Sequence, residues 1–355
     1  MGPGFAARRI FPASGGLTSL TANAPQQPML LLTESDVASL LSMRDAVALM
    51  EDAFRAQAEH RVQLPLRTMA PTPRGVLGAM PVAIAAPATG GQAALGAKLV
   101  TAFAGNAQLG KPSHQALVLL FDADDGTPLA IMDGRYITEV RTAATSALAT
   151  KYLARRGASV VAIIGTGVQA RAHVDALRVV MDIDAVRIWG RTPAHAERLA
   201  GYVGSLGLKA SVTSSAAEAA RGAHVICTTT NSYEPLLDLH EIEAGTHINA
   251  VGFAWPDGRE LGAKLMAAAR IIVDSAPSAL SESGDIKRAI ANGALPIRPE
   301  LVALGDVVVG GQQGRRSDEE ITIFESVGLA VEDIACARHV YERAQAAHTG
   351  SVMAL

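Results

Sequence analysis

The run Val160-Val161-Ala162-Ile163-Ile164 passes directly into Gly165-Thr166-Gly167-Val168-Gln169-Ala170, and a helix-forming segment follows. At a strand-to-helix turn this Gly-x-Gly-x-x-Ala pattern has a defined chemistry. Gly165 makes the tight turn, Gly167 lets backbone amides approach a pyrophosphate, and Ala170 lets the helix pack closely. The helix N-terminus then offers unpaired N–H groups and a positive dipole end to phosphate. About 20 positions further on, a carboxylate would take the ribose 2′-hydroxyl of NAD. The chain instead reads Gly190-Arg191-Thr192 there. Arg191 offers a guanidinium fork, and Thr192 a hydroxyl, to a 2′-phosphate, which favours NADPH and leaves NADH possible. The alternative for Arg191 is a solvated surface arginine.

Three cations form the second group of candidates. Arg67 in Pro65-Leu66-Arg67-Thr68, Lys98 in Ala97-Lys98-Leu99-Val100 and Arg141 in Val140-Arg141-Thr142 stand in apolar surroundings. A charge so placed must pair or bind something. Lys98 faces the core or a cleft unless it lies on the solvent face of its strand. His114 titrates near neutrality and could pass a proton; it could equally be an ordinary strand-end histidine.

Other chemistries find little support. The nine histidines are scattered, with no His-x-x-x-His or His/carboxylate cluster, so no metal site is expected. A Gly-x-Ser-x-Gly elbow is also absent. The formal net charge is -3 and no dense basic block occurs, which argues against nucleic acid as a partner. Cys227 and Cys336 are far apart in apolar stretches, so neither a disulfide framework nor a Cys-x-x-Cys pair is available and a cytoplasmic location is expected. No apolar run approaches the roughly 20 residues that cross a bilayer, so no membrane partner is expected.

The elements that must position these residues follow from pattern. Residues 1–28 are rich in Ala, Gly, Pro and Ser without periodicity and read as a disordered extension. Thr33-Glu34-Ser35-Asp36 and Ser42-Met43-Arg44-Asp45 are capping patterns that open two helices. Strands are expected at Val76–Val82, Gly96–Phe103 and Gln115–Asp122. The last is joined to Pro128–Asp133 through Asp124-Asp125-Gly126-Thr127, a hairpin signal. A helix spans Thr138–Arg155. From Ser159 the order becomes strand, turn, helix, strand, with strands at Ser159–Ile164, Ala185–Trp189, His224–Thr228, His247–Val251 and Arg270–Asp274, which predicts a parallel sheet covered on both faces. An amphipathic helix over Ser326–Arg343 closes the pattern, with Val327, Val331 and Ile334 on one side. The fold class is thus α/β, with an α+β first domain followed by a doubly wound Rossmann domain.

Several motifs together resemble the ornithine cyclodeaminase/mu-crystallin family. They are Lys98-Leu99-Val100, Pro112-Ser113-His114-Gln115-Ala116, Met132-Asp133-Gly134, Arg141-Thr142-Ala143-Ala144, Ile188-Trp189-Gly190-Arg191-Thr192, Ile248-Asn249-Ala250-Val251-Gly252 and Pro256-Asp257-Gly258-Arg259-Glu260-Leu261. They run in order between about Thr33 and Ala346. The resemblance implies a homodimer in which the Rossmann domain (141–325) is inserted in the α+β domain, made of 29–140 and 326–350, and the α+β domain binds substrate and dimerises. It implies that Arg67, Lys98 and Arg141 hold a substrate carboxylate, and that Thr142, Thr228 and Thr229 touch the cofactor. For those threonines the alternative is local capping. Cyclodeaminases of the family carry an aspartate two residues before the proline of the loop after Asn-x-x-Gly. This chain has Ala254 there and resembles the mu-crystallin branch instead.

The expected activity is therefore NADPH-dependent reduction of a small cyclic imino acid, pyrroline-2-carboxylate or piperideine-2-carboxylate, to L-proline or L-pipecolate. A ketimine already has its C=N bond and needs only a hydride and a proton, the latter from water or His114. The alternatives are an amino-acid dehydrogenase or opine-type synthase, an ornithine cyclodeaminase, and a non-catalytic NADPH-binding protein. Phe253, Trp255 and Met80 could line the side-chain pocket or simply pack.

Overall fold

A computed structural model describes residues 28–88, 92–252 and 258–354. Nearly all of the expected disordered extension, and the loop residues Phe253, Ala254, Trp255 and Pro256, lie outside the described residues.

The chain opens with β1 (Met29–Leu32), α1 (Glu34–Leu40), α2 (Met43–Ala58), β2 (Val62–Gln63), β3 (Thr68–Thr72), β4 (Gly75–Ile84), β5 (Ala94–Ala102), β6 (His114–Phe121) and β7 (Pro128–Asp133). A long helix, α3 (Gly134–Leu153), leads into β8 (Val160–Ile164), α4 (Val168–Val180), β9 (Ala185–Trp189), α5 (Pro193–Ser205), β10 (Lys209–Val212) and α6 (Ala216–Ala220). After β11 (Val225–Thr228) and β12 (His247–Ala250) come α7 (Ala263–Ala268), β13 (Arg270–Val273), α8 (Ala276–Glu282) and α9 (Gly284–Ala291). Then follow β14 (Val302–Ala303), α10 (Leu304–Val308), β15 (Thr322–Glu325), α11 (Ala330–Ala347) and β16 (Ser351–Met353).

Two sheets result. The first runs β16-β1-β7-β6-β5-β4-β2 with β3 on β4, antiparallel except where β1 meets β7. The second runs β10-β9-β8-β11-β12-β15-β13-β14, every pair parallel. Its order reverses between β8 and β11. That is where a doubly wound sheet opens a crevice for ligand at the carboxyl ends of its strands.

The architecture agrees with the α/β reading, and its differences are local. β15 inserts between β12 and β13 and was not foreseen. Its four residues are all buried, so it shows neither alternation nor length to distinguish it from a buried helical turn. β1 and β16 pair with each other, so the first sheet takes in residues beyond 350. α3 starts at Gly134, ahead of the expected Thr138, because the Asp133 side chain accepts from Arg135 N and caps it. The last helix starts at Ala330 and not at Ser326, because residues 326–328 are held by another group, Asp274.

α3 is the central element. It is buried along most of its length and contacts α2, α4, α11 and β6. Its run Ala143-Ala144-Thr145-Ser146-Ala147 keeps side chains small so that neighbouring helices approach closely. Along the helix Thr142, Thr145 and Thr150 each donate to the carbonyl four residues back, and Ser146 pairs with His173 of α4. Residue 141 lies inside this helix, so α3 serves both parts of the chain.

Candidate active site

At the turn between β8 and α4, Gly165 has φ +128, and its N–H donates to Trp189 O (2.9 Å). A Cβ there would sit 2.4 Å from Thr229 Oγ1 and 2.8 Å from Thr229 O. Glycine is required by both the angle and the close approach. Gly167 is the N-cap of α4 and makes no side-chain cap, and the space where a Cβ would lie has no atom within 4 Å. The first N–H groups of α4 therefore open onto a free approach, as a pyrophosphate needs. Ala170 is fully buried beneath them, and Val168 is exposed. Gly190 makes room for Thr166: a Cβ on it would meet the Thr166 methyl at 2.4 Å. Arg191 and Thr192 are exposed beside this turn, and Thr192 caps α5 without using its hydroxyl.

The three family-implied threonines gather near the same crevice. Thr229 donates to Ile164 O (3.2 Å) and Thr142 to Thr138 O (2.7 Å), so both hydroxyls have local backbone partners, while Thr228 is buried beside Glu260. Gln169, in the first turn of α4, donates to Thr138 O at 3.5 Å, which places the start of α4 against α3.

Lys98 lies on the inner face of β5, 2 % exposed, so its solvent-facing alternative does not apply. Gly96, two residues earlier on that face, lets α11 come close, since a Cβ there would meet Ile334 at 2.6 Å. That approach brings Asp333 to 2.7 Å from Lys98 Nζ. Arg141 donates from Nη1 to Glu332 (2.8 Å) and from Nε to Asp333 (3.0 Å). Arg67, in the segment before β3, donates from Nη2 to the carbonyls of Val327 (2.6 Å) and Gly328 (2.9 Å), and pairs with Glu282 at 2.8 Å. Arg67 also lines a shallow recess with Leu64, Met80 and Ser278.

The cations are therefore brought together, and none is lone. Each has a carboxylate partner from beyond residue 280, and these acids were missed in the sequence. Their signal resembled the cations' own: Glu332-Asp333 interrupts an apolar helix start between Val331 and Ile334. His114 pairs in register with Ala102, which puts it on the face of the sheet that carries Lys98. Its Nδ1 lies 3.2 Å from Ser113 Oγ, and it reaches solvent at the strand's start.

The electrostatics are those of a crowded, mostly buried site. Burial, then the Arg141 charge, lowers the Lys98 pKa to about 8 against the opposing pull of Asp333. For Arg141, burial works against the charge, but Asp333 and Glu332 outweigh it and hold the guanidinium firmly ionised. Burial and Lys98 depress the His114 pKa, favouring its neutral form. Among the described residues no group of three or more His, Cys, Asp or Glu is arranged to hold a metal ion, and no helix is long and apolar enough to cross a membrane.

The chain matches known proteins along nearly its whole length. The family model for the ornithine cyclodeaminase/mu-crystallin family matches residues 27–348. The chain belongs to that family. Family members similar to it include the ketimine reductase mu-crystallin of Rattus norvegicus, 44% identical over 79% of this chain and 85% of the relative. Among solved structures, Thermococcus litoralis Δ1-pyrroline-2-carboxylate reductase in complex with NADH and L-proline is 35% identical, with a TM-score of 0.86 over 91% of this chain and 99% of that one. An archaeal alanine dehydrogenase dimer with bound NAD is 37% identical, with a TM-score of 0.87 over 92% and 99%.

Proposed function

We propose that this chain, an NAD(P)H-dependent oxidoreductase acting on C=N bonds, reduces small cyclic imino acids such as pyrroline-2-carboxylate or piperideine-2-carboxylate to L-proline or L-pipecolate. The observation that carries this reading is the meeting of Arg67, Lys98 and Arg141 around the start of α11, with Arg141 adjacent in sequence to Thr142 on the helix that abuts the nucleotide turn. Several cations around one point suit a carboxylate held by charge-assisted hydrogen bonds. Bound at the turn, the reduced nicotinamide cofactor supplies the hydride. The clamp holds the imino carbon in reach of it and removes the orientational cost of the encounter.

Charge balance bears on the proton. Arg67, Lys98 and Arg141 are matched by Glu282, Glu332 and Asp333, so these six paired side chains carry no net charge. A ligand without net charge leaves that balance undisturbed. The cyclic iminium carboxylate has none, and it arrives with its nitrogen already protonated. The reaction then needs no carboxylate at Ala254, and His114, biased toward its neutral form, need not donate. Similarity to the pyrroline-2-carboxylate and ketimine reductases supports the imino-acid reading; similarity to the alanine dehydrogenase makes amination of a 2-oxo acid the second reading. Steady-state oxidation of NADPH with the two ketimines is the test: turnover with either is expected, whereas ammonia release from ornithine with no ketimine turnover would overturn the assignment.

NADPH is the proposed cofactor through Arg191. Arg191→Asp is expected to raise the KM for NADPH by roughly 30-fold or more, a charge-assisted bond being worth roughly 1.5–3 kcal/mol, while leaving NADH little changed. Unaltered NADPH kinetics in that variant would remove Arg191 from the site. We also propose a homodimer, packed on the outer face of the first sheet, where Leu77 and Leu117 are exposed and Leu31 and Ile131 line a cleft.

Lys98 makes the clamp sensitive to alkali. Its charged form is lost as pH rises through about 8. Pyrrole-2-carboxylate, a planar carboxylate that does not titrate there, is expected to bind up to about tenfold more weakly per pH unit above that point. Affinity that stays flat from pH 7 to pH 9.5 would exclude Lys98 from carboxylate binding.

A further inference from the structure

We propose that Asp274 is a positioning residue for the carboxylate clamp, fixing the turn at residues 326–329 that shapes Arg67 and Arg141 without touching substrate. The proposal rests on the reading that these cations hold a carboxylate.

Asp274 follows β13 at the carboxyl edge of the parallel sheet and is fully buried. Its Oδ2 accepts from the backbone N–H groups of Val327 (2.8 Å) and Gly328 (2.7 Å), and its Oδ1 from Ser275 N (2.7 Å). Its own carbonyl accepts from Gln57 Nε2 of α2 at 3.1 Å, so the residue is tied to both parts of the chain. Val327 and Gly328, held by their N–H groups, use their carbonyls to accept from Arg67 Nη2. Gly328 has φ +77 and presses on the second arginine: a Cβ there would lie 2.6 Å from Arg141 Nη1. Two residues beyond Gly328, α11 begins and carries Glu332 and Asp333 to Arg141 and Lys98. One carboxylate thus sets the geometry from which the clamp is built. Backbone N–H groups are directional donors, and two from the turn on one charged carboxylate oxygen fix its position.

The site also makes this tie sensitive to acid. Glu332 from α11 and Glu325 from β15 face Asp274, and Gln57, which reaches its carbonyl from α2, is uncharged. Burial first, then Glu332, raises the Asp274 pKa to about 7, against the three N–H groups that lower it. A carboxyl whose pKa is raised takes up a proton as pH falls through that value, loses acceptor capacity, and slackens the turn. Carboxylate affinity should therefore decline from pH 8 toward pH 6.

The experiment compares wild-type protein with Asp274→Asn, measuring the affinities for pyrrole-2-carboxylate and for NADPH and the pH dependence of each. The expected variant binds pyrrole-2-carboxylate at least tenfold more weakly, keeps its NADPH affinity within about twofold, and shows no acid limb between pH 6 and pH 8. Gly328→Ala disturbs the same turn from the Arg141 side and is expected to show the same selective loss, which covers failure of Asp274→Asn to fold. Wild-type affinity in either folded variant, with only a lowered melting temperature, would overturn the positioning role while leaving the clamp intact. Wild-type protein that binds no pyrrole-2-carboxylate at any pH would overturn the clamp reading itself, and the proposal with it.

Discussion

Arg141→Met is expected to abolish imino-acid reduction, with kcat/KM falling by at least about a thousandfold, and to destabilise the fold by roughly 3–5 kcal/mol in denaturant titrations. The two losses have different origins. Arg141 is 5 % exposed and is the hydrogen-bonded partner of two carboxylates. Methionine of similar length leaves Glu332 and Asp333 buried with only Lys98 to balance them, and breaking a buried pair costs more than the pair contributes. The loss of turnover is expected instead from the proposed clamp, where a rigid planar fork cannot be replaced by an apolar chain. A second change, Glu332→Gln, removes one of the stranded charges. The double variant should regain part of the stability and none of the activity. Recovery of both together would mean that Arg141 serves the fold alone.

Gly165→Ala is expected to raise the Kd for NADPH on the order of 100-fold, about 2.7 kcal/mol, in a fluorescence titration. At φ +128 an L side chain is strained wherever it points, and here it points at Thr229 Oγ1 and the Thr229 carbonyl. The carbonyl belongs to the loop after β11, so the added methyl must push the two walls of the crevice apart. In the proposed site dinucleotide affinity depends on that spacing, because the backbone amides that would hold the pyrophosphate cannot follow it. Wild-type NADPH affinity in this variant would show that the turn does not bear the pyrophosphate.

How much of this was legible without coordinates depended on whether a feature announced itself locally. The turn at Gly165–Ala170 did, because a strand, two glycines and a helix start are all encoded within a dozen residues. The hairpin between β6 and β7 did too: Gly126 takes φ +79, which the Asp-Gly pair had signalled. The cations Arg67, Lys98 and Arg141 could be singled out one by one, since each charge stands out against apolar neighbours. Their convergence was implied by the family resemblance alone and not by their spacing, because it depends on α11 returning from the far end of the chain to lie on β5. The carboxylates were hidden for the same reason. Glu332 and Asp333 resemble ordinary first-turn acids of a helix, which they also are, favoured there by the helix dipole. Asp274 resembled the end of an apolar strand. Its role depends on three backbone N–H groups, two of them more than 50 residues away, and backbone donors leave no mark in a sequence. β15 was lost because four buried residues carry no period.

The balance between the two readings of the chemistry turns on whether the C=N bond arrives with the substrate or is made on the protein. The most direct measurement is kcat/KM with NADPH for pyrroline-2-carboxylate set beside that for pyruvate with ammonia, on the same preparation. A clamp that takes a preformed cyclic iminium carboxylate predicts a ratio of at least about a hundredfold in favour of the ketimine. Equal or faster reductive amination of pyruvate would contradict it and make the protein an amino-acid dehydrogenase.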